Sequence, residues 1–342
     1  MKKIDTSDSK RYILAIESSC DDTGAAIFEG KNLLSNVVAT QQIHEKYGGV
    51  VPEWASRKHE ENIVPVVDQA LQEAGISPQQ LSAVAFTLGP GLLGSLLVGC
   101  SFAKTLALSL DIPLITVNHM EAHIMAHFIE DPLPSFPFLC LTVSGGHTQL
   151  IIMSDHGKYE VLGETRDDAA GEAFDKIGKY LGLSYPAGPI IDQLAQSGTA
   201  KYNFTKPKLA GYEFSYSGLK TAVLYFLRDQ KKVDESFIES NLADICCSVQ
   251  AVIVESLIDK VVKASKEYGI STIAIAGGVS ANSALRHELK EKAKVNGWNL
   301  HIPKLAYCTD NAAMIGIAAY YKYIRGEFAE LDVTPQPRLK IG

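Results

Sequence analysis

Apolar residues along the chain fall into two kinds of run, and their alternation predicts the elements. Short apolar runs bounded by Gly, Asp or Asn read as strands. Longer stretches with an apolar position every three or four residues read as helices. The run Tyr12 to Ile16 is followed by a polar turn and a second run ending at Phe28, which is hairpin grammar. The same pattern recurs from Phe138 to Met153 around Ser144-Gly-Gly-His147. A helix is predicted over Glu53 to Ala74, with a kink at Pro65, and a later counterpart over Ala243 to Tyr268 before Gly269. Two strand–glycine–helix units follow these helices. Ala83–Thr87 runs into Leu88-Gly-Pro-Gly-Leu92, and Thr272–Ala276 runs into Gly277-Gly-Val-Ser-Ala-Asn282. Finally Leu114–Val117 leads to a helix over His119 to His127, and Leu300–Ile302 leads to one over Asp310 to Tyr321.

Strands alternating with helices predict an α/β fold with helices on both sheet faces. The same element order twice over predicts two similar lobes around a cleft. The expected boundaries are 12–135 for the first lobe and 136–308 for the second, with a terminal helix, 309–330, returning to the first. Residues 164–235 have no counterpart in the first lobe and read as an insertion, where specific function tends to reside.

At 342 residues the chain is a little over two domains of about 150 residues. With 46% hydrophobic and 21% charged residues it is neither disordered nor collagenous nor a coiled coil. The net charge of −7 argues against a stand-alone binder of phosphate polymers. That charge is uneven. Lys201, Lys206, Lys208, Lys220, Arg228, Lys231 and Lys232 face only Glu213 and Asp229, and seven aromatics (Tyr202, Phe204, Tyr212, Phe214, Tyr216, Tyr225, Phe226) are interleaved. This mixture suits looped or single-stranded RNA, or else a solvated helix with core aromatics. Six scattered cysteines without a Cys-x-x-Cys predict reduced thiols and a cytoplasmic protein. The apolar start is too short for a signal peptide. The apolar stretch Gly91–Val117, broken by Lys104, Asp111 and Pro113, reads as a buried helix and strand rather than a membrane span.

His119 and His123 stand at i and i+4, which places two imidazoles on one helix face with metal-ligand spacing. Two ordinary histidines would look the same. His127 lies about 12 Å along the axis from His119, too far to share an ion. A zinc protease would carry Glu directly after the first His. Here Met120 stands there, and Glu121 points about 200° away around the helix. The equivalent helix start in the second copy carries Asp310. It either completes a two-histidine, one-carboxylate site suited to Fe(II) or catalytic Zn²⁺, or caps its helix. Three glycine turns could cradle a nucleotide: Thr142–Gly146, Gly277-Gly278 with Ser280 and Asn282, and Gly89–Gly91. None is a P-loop or Rossmann fingerprint. Asp175 and Asp192, flanking Pro186–Pro189, could bind ribose hydroxyls or simply be solvated.

The set Glu17–Thr23, His119–His123, Val143–Thr148, Gly171–Lys176, Phe214–Thr221, Ala276–Asn282 and Cys308–Ala312 resembles the bacterial TsaD family across nearly the whole chain. The resemblance implies an actin-like, sugar-kinase-like (ASKHA) fold of two RNase H-like lobes. It implies transfer of threonylcarbamoyl from threonylcarbamoyl-AMP to N6 of the adenosine 3′ to the anticodon, in tRNAs reading codons that begin with A. His119, His123 and Asp310 would then ligate one iron-type ion, with zinc the alternative. Thr142, Val143, Ser144, Gly145, Gly146, Asp175, Gly188, Asp192 and Asn282 would form the adenylate site. Asp21 is the candidate for managing the proton. Implied partners are tRNA, an inactive same-fold paralogue (TsaB-type) and a small P-loop ATPase (TsaE-type). Two positions depart from the family pattern: Asp22 replaces the usual Glu, and Ala187 the usual Gly. The competing classes are a metalloprotease and an actin-fold ATPase or sugar kinase.

Overall fold

A computed structural model describes residues 11–206 and 209–341. The described chain divides into two compact units. The first comprises residues 11–41, 50–131 and 310–340; the second comprises 42–49, 132–309 and 341.

In the first unit, β1 (Tyr12–Glu17), β2 (Asp22–Glu29) and β3 (Asn32–Thr40) form an antiparallel meander. Helix α1 (Pro52–Ala74) then leads to β4 (Leu81–Gly89), α2 (Leu93–Leu110), β5 (Leu114–Asn118) and α3 (His119–Met125). The sheet order is β3-β2-β1-β4-β5, with β4 and β5 parallel to β1. Every residue of β1 is buried, as a central strand covered on both faces requires. Helix α1 brings Ile63, Val66, Val67 and Ala70, and α2 brings Cys100, Ala103 and Ala107, into the same core. Among the described residues α2 alone is long and apolar enough to cross a membrane. It packs instead against α1 and β4.

The second unit repeats the plan. It holds β6 (Phe138–Val143), β7 (Thr148–Asp155) and β8 (Lys158–Glu164), then α4 (Ala170–Tyr180), α5 (Ala187–Ala195), α6 (Ser217–Lys231) and α7 (Phe237–Tyr268). β9 (Thr272–Ala276), α8 (Ser283–Asn296) and β10 (Asn299–His301) complete it. Its sheet, β10-β9-β6-β7-β8, has the same order as the first when read from the other edge. The duplication predicted from element order is therefore present in strand order as well. The last helix, α9 (Ala312–Arg325), packs on β1, β2, β4 and β5.

Several boundaries differ from expectation. Strands β3 and β8 are not predicted by the hydrophobic pattern. Their alternation is weakened by Asn32, Ser35 and Asn36 in one and by Lys158 and Glu160 in the other. Helix α7 begins at Phe237 rather than Ala243. Helix α3 ends at Met125, and a 3₁₀ turn carries Ala126–Phe128. Pro65 sits on the exposed side within the single helix α1.

Candidate metal and substrate sites

In the first unit β5 delivers His119 at its carboxyl end. Asn118 starts the helix by accepting the amides of Met120 at 2.8 Å and Glu121 at 3.2 Å. This cap fixes the helix face that carries His119 and His123, whose ring centroids lie 4.7 Å apart at 85°. Asp310 joins them from the segment before α9. Its Oδ1 is 3.4 Å from His119 Nε2 and 3.2 Å from His123 Nε2. One ligand atom from each of the three residues lies within 4.8 Å of the others. Asp310 does not cap α9. Asn311 does, accepting the Met314 amide at 3.0 Å, so the Asp310 carboxylate is left to the histidines.

The electrostatics suit a cation. Burial would raise the Asp310 carboxyl, but His119 and His123 hold it well below the usual carboxylate range. Burial would likewise lower His119, yet Asp310 and Glu17 hold it well above the usual imidazole range. Two carboxylates thus favour positive charge at this point, and among the described residues no Lys or Arg pairs with either. Both ring nitrogens of His123 are buried without a completed hydrogen bond. A two-histidine, one-carboxylate set of this kind fits a divalent metal with positions left open. His127 lies outside the group, as expected. Glu121 turns away to Lys322 on α9, at 3.7 Å, which removes the general base that a zinc protease would need.

Asp21 and Asp22 occupy the turn between β1 and β2. Asp21 is half-buried. The Asp22 carboxyl is pushed up to about 7, first by burial and then by the charges of Asp310 and Asp21. Its Oδ1 is buried without a hydrogen bond. Burial and then the charge of Asp21 push the Cys20 thiol far up, which favours the neutral thiol over the thiolate. The Gly89–Gly91 turn is no ligand cradle. A Cβ on Gly89 would meet Gln336 O at 1.9 Å, and one on Gly91 would meet Ser19 O at 2.4 Å. The chain's own backbone fills that space.

In the second unit the predicted substrate residues are linked by contact. Gly277, at φ 85°, lies so close to Val143 that a Cβ would come within 2.4 Å of its carbonyl oxygen. The Gly171 amide bonds to Ser144 O at 3.2 Å, placing the start of α4 on the Thr142–Gly146 turn. Gly145 and Gly146 face open space. Asp175 accepts the Ala187 amide at 2.8 Å and also bonds Gly188, so it caps α5. Asp192 accepts from Ser283 N at 2.9 Å and from Ser283 Oγ at 2.7 Å. Buried Asn282 caps α8 through Leu285 N at 2.9 Å and donates to Gln250 at 2.7 Å. Ala187 is buried, and its methyl is the atom a Cβ on Gly178 would strike at 2.1 Å. This departure from the family pattern therefore faces the core.

The basic insertion is largely neutralised. Lys201 pairs with Asp244, Lys206 with Glu255 and Asp259, Lys220 with Asp168, and Lys232 with Asp229. Lys208 lies outside the described residues. Phe204, Phe214 and Tyr216 are core residues, and Tyr202 and Phe226 pack against that core. Tyr225, under Arg228, is exposed. The stacking platform read from composition is mostly packed interior. A cavity of about 250 Å³ lined by Lys206, Tyr216, Ser256 and Lys260 contains none of the predicted site residues.

Fold and site together define an α/β protein whose two units share one sheet order, with a donor group in the first unit that fits a divalent metal. The family model described as tRNA N6-adenosine threonylcarbamoyltransferase, TsaD, matches residues 32–317. The transferase of that description from Christiangramia forsetii is 59% identical over 98% of this chain and 99% of its own length. The one from Riemerella anatipestifer is 58% identical over 96% and 98%. The solved HypF of T. kodakarensis superposes with a TM-score of 0.63 over 95% of this chain at 15% identity, a likeness of fold. This chain spans 49% of that protein's length. The chain belongs to the TsaD family, and its activity is threonylcarbamoyl transfer to N6 of a tRNA adenosine.

Proposed function

We propose that the donor is threonylcarbamoyl-AMP and the acceptor the adenosine 3′ to the anticodon, in tRNAs reading codons that begin with A. The observation carrying this reading is the His119–His123–Asp310 group at the carboxyl edge of β5. These residues would hold an Fe(II)-type ion, with Zn²⁺ the alternative. The chemistry a bound ion supplies is polarisation and orientation of the threonylcarbamoyl oxygens. The Thr142–Gly146 turn, open at Gly145 and Gly146, binds the phosphate through backbone N–H groups, and Gly188 and Asn282 contribute further contacts to the adenylate. Asp175 and Asp192 contribute by holding the starts of α5 and α8 in place, and offer their remaining lone pairs to ribose. The adenine N6 attacks the carbamoyl carbon, the bond to the phosphate oxygen breaks, and AMP departs. Asp21 takes the N6 proton. An exocyclic aromatic amine is a weak nucleophile, so positioning supplies much of the acceleration.

The exposed Leu93, Leu97 and Leu108 on α2 suit docking of a same-fold TsaB-type paralogue, with a TsaE-type P-loop ATPase as a further partner. The test combines purified tRNA, labelled threonylcarbamoyl-AMP, the partners and this protein. Label entering tRNA with matching AMP release is expected. Casein cleavage, or ATP or sugar turnover independent of tRNA, would overturn the reading.

A further inference from the structure

From the surroundings of His119 we infer that Glu17 is a positioning residue, which aims His119 Nε2 at the metal; the inference rests on reading His119, His123 and Asp310 as metal ligands. An imidazole offers its Nε2 lone pair to an ion only when its proton is on Nδ1, and the partner of Nδ1 decides this. His119 Nδ1 lies 3.2 Å from Glu17 Oε2 and 3.1 Å from Ser19 Oγ, while Nε2 faces Asp310. A hydroxyl can donate or accept, so Ser19 leaves the tautomer undecided. A carboxylate only accepts, so Glu17 decides it.

Glu17 is itself held without slack. Its Oε1 accepts the Ser19 amide at 2.6 Å, and its Oε2 accepts the Thr87 hydroxyl from β4 at 2.6 Å. It is fully buried at the end of a strand whose other residues are apolar, a placement that costs several kcal/mol unless the charge is matched. Its ion-pair partner is His119 rather than a Lys or Arg. With Asp310 it brings two negative charges to the donor group, the complement of a divalent ion. His123, by contrast, has no carboxylate or other hydrogen-bond partner at Nδ1. The orienting carboxylate therefore serves one imidazole of the pair.

Glu17→Gln tests this, because glutamine cannot meet both demands. If its oxygen accepts from Ser19 N, its NH₂ faces Nδ1 and turns the tautomer around. If its oxygen accepts from Nδ1, its NH₂ opposes the Ser19 amide. The probe is Co(II) alone, with affinity from chelator competition and site geometry from the visible absorption of the bound ion. Glu17→Gln is expected to weaken Co(II) binding by about 10- to 100-fold and to change the spectrum, with the far-UV circular dichroism unchanged. Thr87→Val, which removes one of the supports of Glu17, should weaken binding in the same direction by less, and takes over the test if Glu17→Gln does not fold. Wild-type affinity and spectrum in the variant that folds would overturn the inference. His119→Ala separates the two layers: undiminished Co(II) binding in that variant would overturn the metal reading itself.

Discussion

Asn311 relieves Asp310 of the capping role that its position before a helix would suggest. Asn311 accepts the Met314 amide at 3.0 Å, while Asp310 Oδ1 lies 3.2 Å from His123 Nε2. Adjacent residues thus divide stability from chemistry. Asn311→Ala should cost about 1 kcal/mol in urea unfolding, the usual loss for an N-cap. An unchanged midpoint would show that the cap is dispensable.

Asp310→Asn keeps the shape and removes the charge. Bound divalent metal, measured by elemental analysis after dialysis, should fall by more than the roughly 100-fold upper range for an outer-sphere partner. Threonylcarbamoyl transfer should fall with it. Retained metal at wild-type stoichiometry would remove Asp310 from the ligand set.

Asp22 links stability to pH. Its carboxyl titrates at about 7 instead of 3.8, so the folded state keeps a proton that the unfolded chain releases near pH 4. The stabilising contribution is complete below about pH 4 and is lost as pH rises through about 7. Asp22→Asn cannot ionise and should gain on wild type by at most about 4 kcal/mol at pH 8, with the gain vanishing near pH 4. Urea midpoints at the two pH values decide the matter, and an equal difference at both would refute it.

Ala187→Gly introduces the glycine that the family resemblance implies at this position. Because the methyl is buried against Gly178, the change should cost about 1 kcal/mol in stability and leave the KM for the adenylate donor unaltered. A KM shift without a stability change would place the methyl at the ligand instead.

Lys206 is paired with two carboxylates, so Lys206→Glu should leave the salt dependence of tRNA binding nearly as it was. A residue on a phosphate would lower the slope by about one. A drop of that size would restore the insertion as an RNA surface.

The duplicated plan was legible because hairpins and strand–glycine–helix units leave local marks, such as Ser144–His147 between two apolar runs. Strands β3 and β8, at sheet edges with polar residues in the pattern, leave weaker ones. The histidine pair was legible from its spacing. Asp310 needed the duplication, and Asn311 as the true cap was not visible from composition. Glu17 stands out in the sequence only as part of the Glu17–Thr23 motif. Its signal was a single charge closing the apolar run Tyr12–Ile16, and its meaning depends on Thr87 and His119, both distant in sequence. The charge count over Lys201–Lys232 misled because its balancing acids, Asp244, Glu255 and Asp259, lie on α7.

The first unit is interrupted in sequence by the second, so both histidines are synthesised long before the carboxylate that joins them. A growing chain therefore carries a half-made ligand set until residue 310 has been added. Any message truncated before Asp310 yields a product lacking both that carboxylate and the helix that packs on β1 and β2. The donor set is therefore complete only once residue 310 has been added, after nearly all of the second unit.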